Sequence, residues 1–379
     1  MNIYLLSELH PSNTHVGWSV SYSLEKILVE SCGAMPIYPI ENKEKNSLQR
    51  YQHRLLKSWF TISEPPVLGE GPNVLIVIGL GARFLLSMLA LGPLLNQFDL
   101  KIGYLLDGIY PAEIDRAVIP HLDHLFLITA EVVDEVAASL PLNASFLPLA
   151  TDVLRQGAQH LGNRLERGID IINYGRTQPD LHQALQRYYN QGDSQRMYFH
   201  TTFTGTNVAS HQEHIMLMTK LLSKSKINIC FEPSTLPRFR GYSPLLLRWL
   251  EGWACGCAIV GKRPFGKGVD QLLDWENSTL ELPDSASDWI PFFEELLNQG
   301  ELLLQISQRN YQECLLRHDW RYRIRDIFTT LNLPMPAQLQ LEIELVQAKA
   351  ERAKQYALPA NHLLGSGFAA PKVAEQIML

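Results

Sequence analysis

Over the first 150 residues, short β-branched or apolar runs alternate with longer stretches whose apolar residues recur at three and four. That alternation is the pattern of βα units closing on a parallel sheet. The runs predict strands near Ile3–Leu6, Ala34–Ile40, Val74–Ile78, Lys101–Leu106, Leu125–Thr129 and Ser145–Leu147, with helices over Val16–Ser31, Arg83–Leu95 and Ala130–Leu140. A polar stretch, Arg155–Gly168, then has few apolar anchors and no strand period, and reads as a hinge.

A second series follows. It predicts strands near Ile169–Asn173, Met197–Thr201, Ile227–Phe231, Ala258–Gly261 and Thr279–Leu282, and helices over Leu181–Tyr189, Gln212–Leu222 and Pro244–Cys255. From Trp289 the strand signal stops and three helical stretches run to about Leu331, before Pro334 and Pro336. Gln338–Tyr356 restarts in strong helix formers, as a docked terminal helix returning to the first domain or as a partner-binding arm. The expected fold is α/β: two Rossmann-like doubly wound domains facing across a cleft, over residues 1–155 and 165–330, with a helical tail at 336–379. A length of 379 residues at 46% hydrophobic content is enough for two such cores.

Charge narrows the class of partner. A net charge of −6 gives no general pull toward nucleic acid or an acidic membrane surface. The opening MNIYLLSE lacks the features of a secretory signal, and no apolar run reaches membrane-spanning length. The expectation is a cytoplasmic protein without a transmembrane segment, which leaves room for peripheral membrane contact. The five cysteines, Cys32, Cys230, Cys255, Cys257 and Cys314, are scattered in a way that frames neither a disulfide set nor a zinc site.

The window Gly241–Gly256 is the richest in chemistry. Ser243 reads as an N-cap, Pro244 suits the first helical position, and Gly256 suits the left-handed position after a helix. The strand before it would deliver the helix N-terminus to the carboxyl edge of the sheet, where free N–H groups and the dipole suit a diphosphate. Arg248 and Glu251 lie on one helix face, as ligand-binding groups or as a surface pair. Asp107 ends a strand at the same kind of edge, to accept a proton or orient a hydroxyl, or to close a turn. His15 and Gly17 sit in the loop Ser7–Val16 after the first strand, with Trp18 beside them, as site candidates or as ordinary loop residues.

The run Leu247–Val260, LRWLEGWACGCAIV, is similar to the R-[YF]-[FL]-E-x-x-A-x-G-x-x-x-V signature of glycosyltransferases with two Rossmann-like domains, the GT-B fold. In form it most resembles the CgeB-like group related to glycosyltransferase family 4. Further likenesses are Ile171–Arg176 to a strand ending in Gly-Arg, Leu221–Glu232 to the following strand approach, and His318–Arg325 to a closing helix. Weaker ones are Lys101–Asp107, Asp123–Glu131 and Leu147–Asp152 in the first half.

The resemblance implies a transfer of sugar from a nucleotide diphosphate sugar to an unknown glycan, lipid or small-molecule acceptor, retaining and metal-independent, with no tightly bound cofactor. It implies that Glu251 takes the ribose hydroxyls, that Arg176 beside Gly175 takes the diphosphate, and that Tyr242, Ser243, Arg248 and Gly17 line the donor site. Family 4 enzymes carry a donor-contacting glutamate where this chain has Ser243, and a lysine shortly after the arginine where this chain has Thr177–Leu181. These departures keep two alternatives open: a nucleotide-sugar epimerase of the same fold, and a non-catalytic sugar-nucleotide or glycan-binding relative.

Three other signals are set aside. Gly79-Leu-Gly81 nearly spells a dinucleotide fingerprint, but Phe84 replaces its third glycine. His211 and His214 lie one turn apart without a third metal ligand and read as a solvated face. Lys262, Arg263 and Lys267 read as a basic loop.

Overall fold

Two parallel sheets organise the chain, each built from strands whose continuous apolar runs suit burial on both faces. A computed structural model describes residues 1–10, 13, 15–42, 47, 51, 53, 58–157, 167–201 and 208–355. The first sheet holds β1 (Asn2–Ser7), β2 (Met35–Ile37), β5 (Asn73–Gly79), β6 (Leu100–Leu105), β7 (His124–Leu127) and β8 (Ala144–Phe146) in the order β2-β1-β5-β6-β7-β8. Between β2 and β5, β3 (Ile40–Glu41) and β4 (Phe60–Thr61) pair antiparallel as a small ribbon. The second sheet holds β9 (Ile169–Tyr174), β10 (Tyr198–Thr201), β11 (Ser225–Phe231), β12 (Ala258–Lys262) and β13 (Leu280–Glu281) in the order β10-β9-β11-β12-β13.

Both orders reverse direction beside the first strand, between β1 and β5 and between β9 and β11. At such a switch point the connections on either side leave toward opposite faces and open a crevice at the carboxyl ends of the strands.

Helices cover the sheets: α1 (Ser19–Cys32), α2 (Ala130–Ser139) and α3 (Val153–Gln156), then α4 (Pro179–Tyr189), α5 (His211–Ser223) and α6 (Leu247–Ala254). The closing helices are α7 (Trp289–Asn298), α8 (Gly300–Arg317), α9 (Trp320–Thr330) and α10 (Ala337–Gln355). α1 ends at Gly33 with φ 70, a left-handed cap whose N–H donates to Leu28 O. The last helix docks rather than projecting: Leu339, Ile343, Val346 and Ala350 are buried, against α8, α9 and α1. Trp320 of α9 reaches the first sheet at Tyr104, with ring centroids 6.4 Å apart.

The elements follow the hydrophobic pattern with three departures. Ala82–Gln97 is 3-10 rather than α-helical, broken at Gly92 (φ 55, ψ −133) and followed by Pro93. That conformation needs a glycine, and the proline cannot donate a hydrogen bond to the preceding turn. α6 begins at Leu247, not at Pro244, because 243–246 stays outside the helix and the Ser243 hydroxyl is bonded elsewhere. Its other end is as read, with Gly256 at φ 68. Of the hinge Arg155–Gly168, residues 158–166 lie outside the described residues; Arg155 itself belongs to α3 and bonds Glu342 of α10 at 3.1 Å.

The carboxyl edges of the two sheets face one another, and their loops meet in matching order. After β1, Ser19 Oγ lies 2.9 Å from His211 Nδ1 at the start of α5, and Asn13 O lies 2.7 Å from the other ring nitrogen. After β6, Asp107 meets Arg238 in the segment after β11, Nη1 to Oδ2 3.1 Å. After β7, Glu131 accepts from Lys267 N at 2.6 Å in the segment after β12. His211 is therefore buried between the sheets and not on a solvated face.

Candidate active site at the facing strand ends

The switch point of the second sheet collects the residues expected to meet the donor. At the end of β9 the chain turns at Gly175 with φ 73, and Gly175 N donates to Thr201 Oγ1 at 3.2 Å. Arg176 follows. Tyr174, the last residue of β9, donates its hydroxyl to Glu251 Oε2 at 2.6 Å. Arg248 stands over the Tyr174 ring, 5.7 Å from its centroid, and donates from Nη1 to Arg176 O at 2.8 Å. Tyr174, Arg176, Arg248 and Glu251 thus form one connected group.

Glu251 and Arg248 make no ion pair among the described residues. The Glu251 carboxyl is instead held by a phenol, and burial pushes its pKa up against the opposing pull of that hydrogen bond and of Arg248. The Tyr174 phenol is raised well above the usual range, by burial first and then by the Glu251 charge. It is therefore a fixed donor, leaving the remaining lone pairs of Glu251 to accept hydroxyls. Burial brings the Arg176 guanidinium down to about 10, helped by the like charges of Arg248 and Arg238. Crowded cations of this kind suit a polyanion.

Asp107 comes to the same place from the first sheet. Its Oδ1 accepts from Gly108 N at 2.8 Å, and Oδ2 pairs with Arg238. Burial raises its pKa, opposed mainly by Arg238 and also by Arg176. Turn closure and a charged role therefore coexist at this residue.

Tyr242 sits at the cleft rim. Its hydroxyl donates to the Glu135 carboxylate of α2, and its ring stacks on Tyr110 at 6.2 Å. The bond to Glu135, ahead of burial, pushes its phenol up to about 12. Ser243 is no helix cap: its Oγ donates to Glu232 Oε2 at 2.8 Å, and Ser234 holds the same carboxylate through N at 2.6 Å and Oγ at 2.7 Å. A carboxylate thus lies beside position 243, supplied by Glu232 from the end of β11.

His15 and Gly17 are brought together with each other rather than with this group. His15 caps the turn Val16–Trp18, its Nδ1 accepting from Gly17 N at 3.1 Å, and its ring meets Trp18 edge-on at 5.0 Å.

The sequence reading missed Tyr174, Glu232 and Arg238. Tyr174 was legible as the residue preceding the Gly-Arg pair, and Glu232 as an acid ending a strand. Arg238 carries no local signal, since its relevance comes from a contact across the cleft.

The other switch point, between β1 and β5, is filled by the chain itself. Glu8 Oε2 accepts from Leu80 N at 2.7 Å, in the glycine loop that nearly spells a dinucleotide fingerprint. A Cβ on Gly79 would come within 2.8 Å of Phe84 Cβ, so this glycine serves packing. Among the described residues, no group of three or more His, Cys, Asp or Glu could hold a metal ion, and no helix is long and apolar enough to cross a membrane.

Two parallel sheets facing one another across a cleft, each with a switch point at that edge, are the GT-B architecture. Residues 175–329 match the family model described as glycosyl transferase-like. The fold is thus of the GT-B class, and the family match is confined to residues 175–329, less than half of the chain. Among solved structures, Anabaena HepE in complex with UDP-glucose is similar over 88% of this chain and 100% of its own, at 10% identity and a TM-score of 0.52. The lipopolysaccharide outer core galactosyltransferase WaaB matches at 12% identity and TM-score 0.44, over 87% of this chain and 100% of its own. A candidate UDP-N-acetylglucosamine 2-epimerase from Listeria monocytogenes matches at 11% and 0.46, over 89% and 98%. No curated protein matches the sequence.

Proposed function

We propose that this chain transfers a sugar from a nucleoside diphosphate sugar to an acceptor hydroxyl in the cleft. The observation that carries the reading is the Tyr174–Glu251–Arg248–Arg176 group at the β9/β11 switch point: an acceptor-only carboxylate next to two guanidiniums. Glu251 takes the ribose hydroxyls, and Arg176 with Arg248 takes the diphosphate. Gly175 lets the backbone turn beneath it, while Tyr242, Ser243 and Glu232 bound the sugar side. The bond from the anomeric carbon to the diphosphate oxygen breaks, its electron pair leaves on the diphosphate, and the acceptor oxygen bonds to that carbon. Asp107 orients the acceptor hydroxyl or takes its proton. On the loop after β1, His15 stands in this reading as a further catalytic candidate and Gly17 as a part of the donor site.

The donor site so built neutralises phosphate with arginines, so the reaction runs without a tightly held metal, and by its family resemblance with retention, in the cytoplasm. HepE was crystallised with UDP-glucose, which makes that compound the first donor to test. Calorimetric titration with UDP-glucose, UDP, GDP and TDP, before and after chelation, tests the site. Saturable binding that changes less than about tenfold on metal removal is expected, tenfold being about 1.4 kcal/mol. Absence of binding to every nucleoside diphosphate overturns the reading. Product analysis with labelled donor separates transfer from epimerisation, which leaves the sugar on the nucleotide.

A further inference from the structure

The segment after β11 leans across the cleft and is gripped there. A Cβ on Gly108 would meet Arg238 O at 2.8 Å and the Phe239 ring at 3.0 Å, so the two backbones touch. Arg240, at φ 45, lays its guanidinium 4.0 Å from the Tyr110 ring centroid. Arg238 turns back toward Asp107, and this 3.1 Å pair is partly open to solvent, the side chains being 53% and 28% exposed. Arg176, which accepts from Arg248 through its carbonyl, lies close enough for the Arg238 charge to depress its guanidinium's pKa, as Arg248 also does. Three arginines therefore converge, and the carboxylate paired with Arg238 is the one placed to serve the acceptor.

We propose that Arg238 is a third ligand of the donor diphosphate and that Asp107 holds it in the ligand-free cleft, so that donor binding frees Asp107 for the acceptor. The inference deepens the glycosyltransferase reading and rests on it. Arg238 cannot give its fork of donors to Asp107 and to a phosphate at full strength together, since both are acceptors seeking the same N–H groups. A doubly charged diphosphate flanked by Arg176 and Arg248 is a stronger partner for Arg238 than the single charge of one half-buried carboxylate. The exchange imposes an order: Asp107 stays occupied until the donor is seated. An acceptor arriving first finds it paired. Arg238 is thereby a donor-binding residue, and the Asp107–Arg238 pair is the gate.

The test is a double-mutant cycle on UDP and UDP-glucose affinity, measured by calorimetry at fixed low salt with melting curves as a folding control. Arg238→Gln should weaken UDP binding about tenfold, through loss of a charge-assisted contact. Asp107→Asn should tighten it by about three- to tenfold, because nothing then competes for Arg238. In the Arg238→Gln background, Asp107→Asn should have no effect on affinity. Asp107→Ser replaces the Asn variant if that one does not fold. A wild-type protein that binds nucleoside diphosphate while Asp107→Asn leaves affinity unchanged or lowers it overturns this inference alone. So does tightening that persists without Arg238. A wild-type protein that binds none overturns the functional reading, and this inference with it.

Discussion

At the scale of single residues, Glu251 separates a ligand site from a packing site. Among the described residues it accepts from the Tyr174 hydroxyl, and Arg248, three residues before it, is turned away onto Arg176 O. A carboxylate kept for structure would be paired with that arginine, whereas this one faces the switch point with acceptor capacity unspent. Glu251→Gln should weaken UDP binding about ten- to a hundredfold while the melting temperature stays close to wild type, since the amide still accepts from Tyr174. Tyr174→Phe leaves the carboxylate less fixed and should cost less, about threefold to tenfold. Wild-type affinity in Glu251→Gln would remove the ribose assignment.

A second residue-scale test concerns charge. Burial raises Glu25 to about 8 and Glu8 to about 7, and Ser7 donates to the Glu25 carboxyl. For a carboxyl whose folded pKa lies above the unfolded value, stability is full below the unfolded pKa and is lost as pH rises through the folded one. The window for Glu25 runs from about 4.5 to 8. His318, brought down to about 3 by burial among Trp253 and Trp275, works the other way and loses stability as pH falls below its unfolded value of 6.5. The two trends overlap, so a difference is the right measurement. Glu25→Gln should melt close to wild type near pH 5 and gain on it as pH rises to 8, by on the order of a few kcal/mol. A constant offset across that range would show that the carboxyl does not titrate with folding.

At the scale of elements, the fold was legible wherever burial is periodic. β5 carries an unbroken apolar run, Val74–Ile78, and β11 an apolar stretch interrupted at Asn228, because each lies inside a sheet covered on both faces, and both were placed from sequence within two residues. Ala82–Gln97 was mistaken for an α-helix because its apolar spacing is helical and the break at Gly92–Pro93 is a backbone property that periodicity does not report. The start of α6 was misplaced for a different reason. Ser243 and Pro244 have the local chemistry of a helix start, yet Glu232, eleven residues away in sequence, competes for the serine hydroxyl. Within the site, Arg176, Arg248 and Glu251 were legible because the motif lies in one strand end and one helix, and Arg238 was not, because only the opposite sheet gives it meaning.

The same scale explains why the last helix matters. Glu342 of α10 reaches Arg321 Nε at 2.6 Å, and Arg321 Nη1 lies 2.9 Å from Asp152 and 2.8 Å from Asp319, all four side chains being nearly inaccessible. The arginine ties α3, α9 and α10 together behind the cleft. Arg321→Ala leaves three buried carboxylates with only the partly exposed Arg155 beside two of them, Asp152 and Glu342, and should cost about 3–5 kcal/mol, read as a fall in denaturant midpoint. A loss under about 1 kcal/mol would mean that water reaches the cluster and the hub is not a fixed point.

At the scale of the whole molecule, the contacts between the two sheets are unequal from back to front, and that asymmetry sets how the cleft can move. At the back, the Arg321 cluster is buried, Trp320 meets Tyr104, and α1 packs on α5 with Ser19 bonded to His211. At the front, the ion pairs are Asp107–Arg238 and Lys267–Asp134, the latter with side chains 59% and 61% exposed, beside the Tyr242–Glu135 bond, the Tyr110 contacts and the Gly108 packing described above. Exposed pairs contribute about 0–1 kcal/mol each and are screened by salt, whereas the buried cluster is not easily separated. The front therefore opens about a fixed back, and a diphosphate that takes Arg238 from Asp107 removes one of its ion-pair contacts. Small-angle scattering should show a larger radius of gyration in the ligand-free protein at about 0.5 M salt than at low salt, where the Debye length is longer. Saturating UDP should enlarge it at low salt, where the pair it breaks otherwise helps hold the front together, and Arg321→Ala, if it remains folded, should enlarge it further by loosening the pivot. A radius unchanged by both salt and UDP would mean that the front contacts are as permanent as the back, and that substrates enter a cleft that does not open.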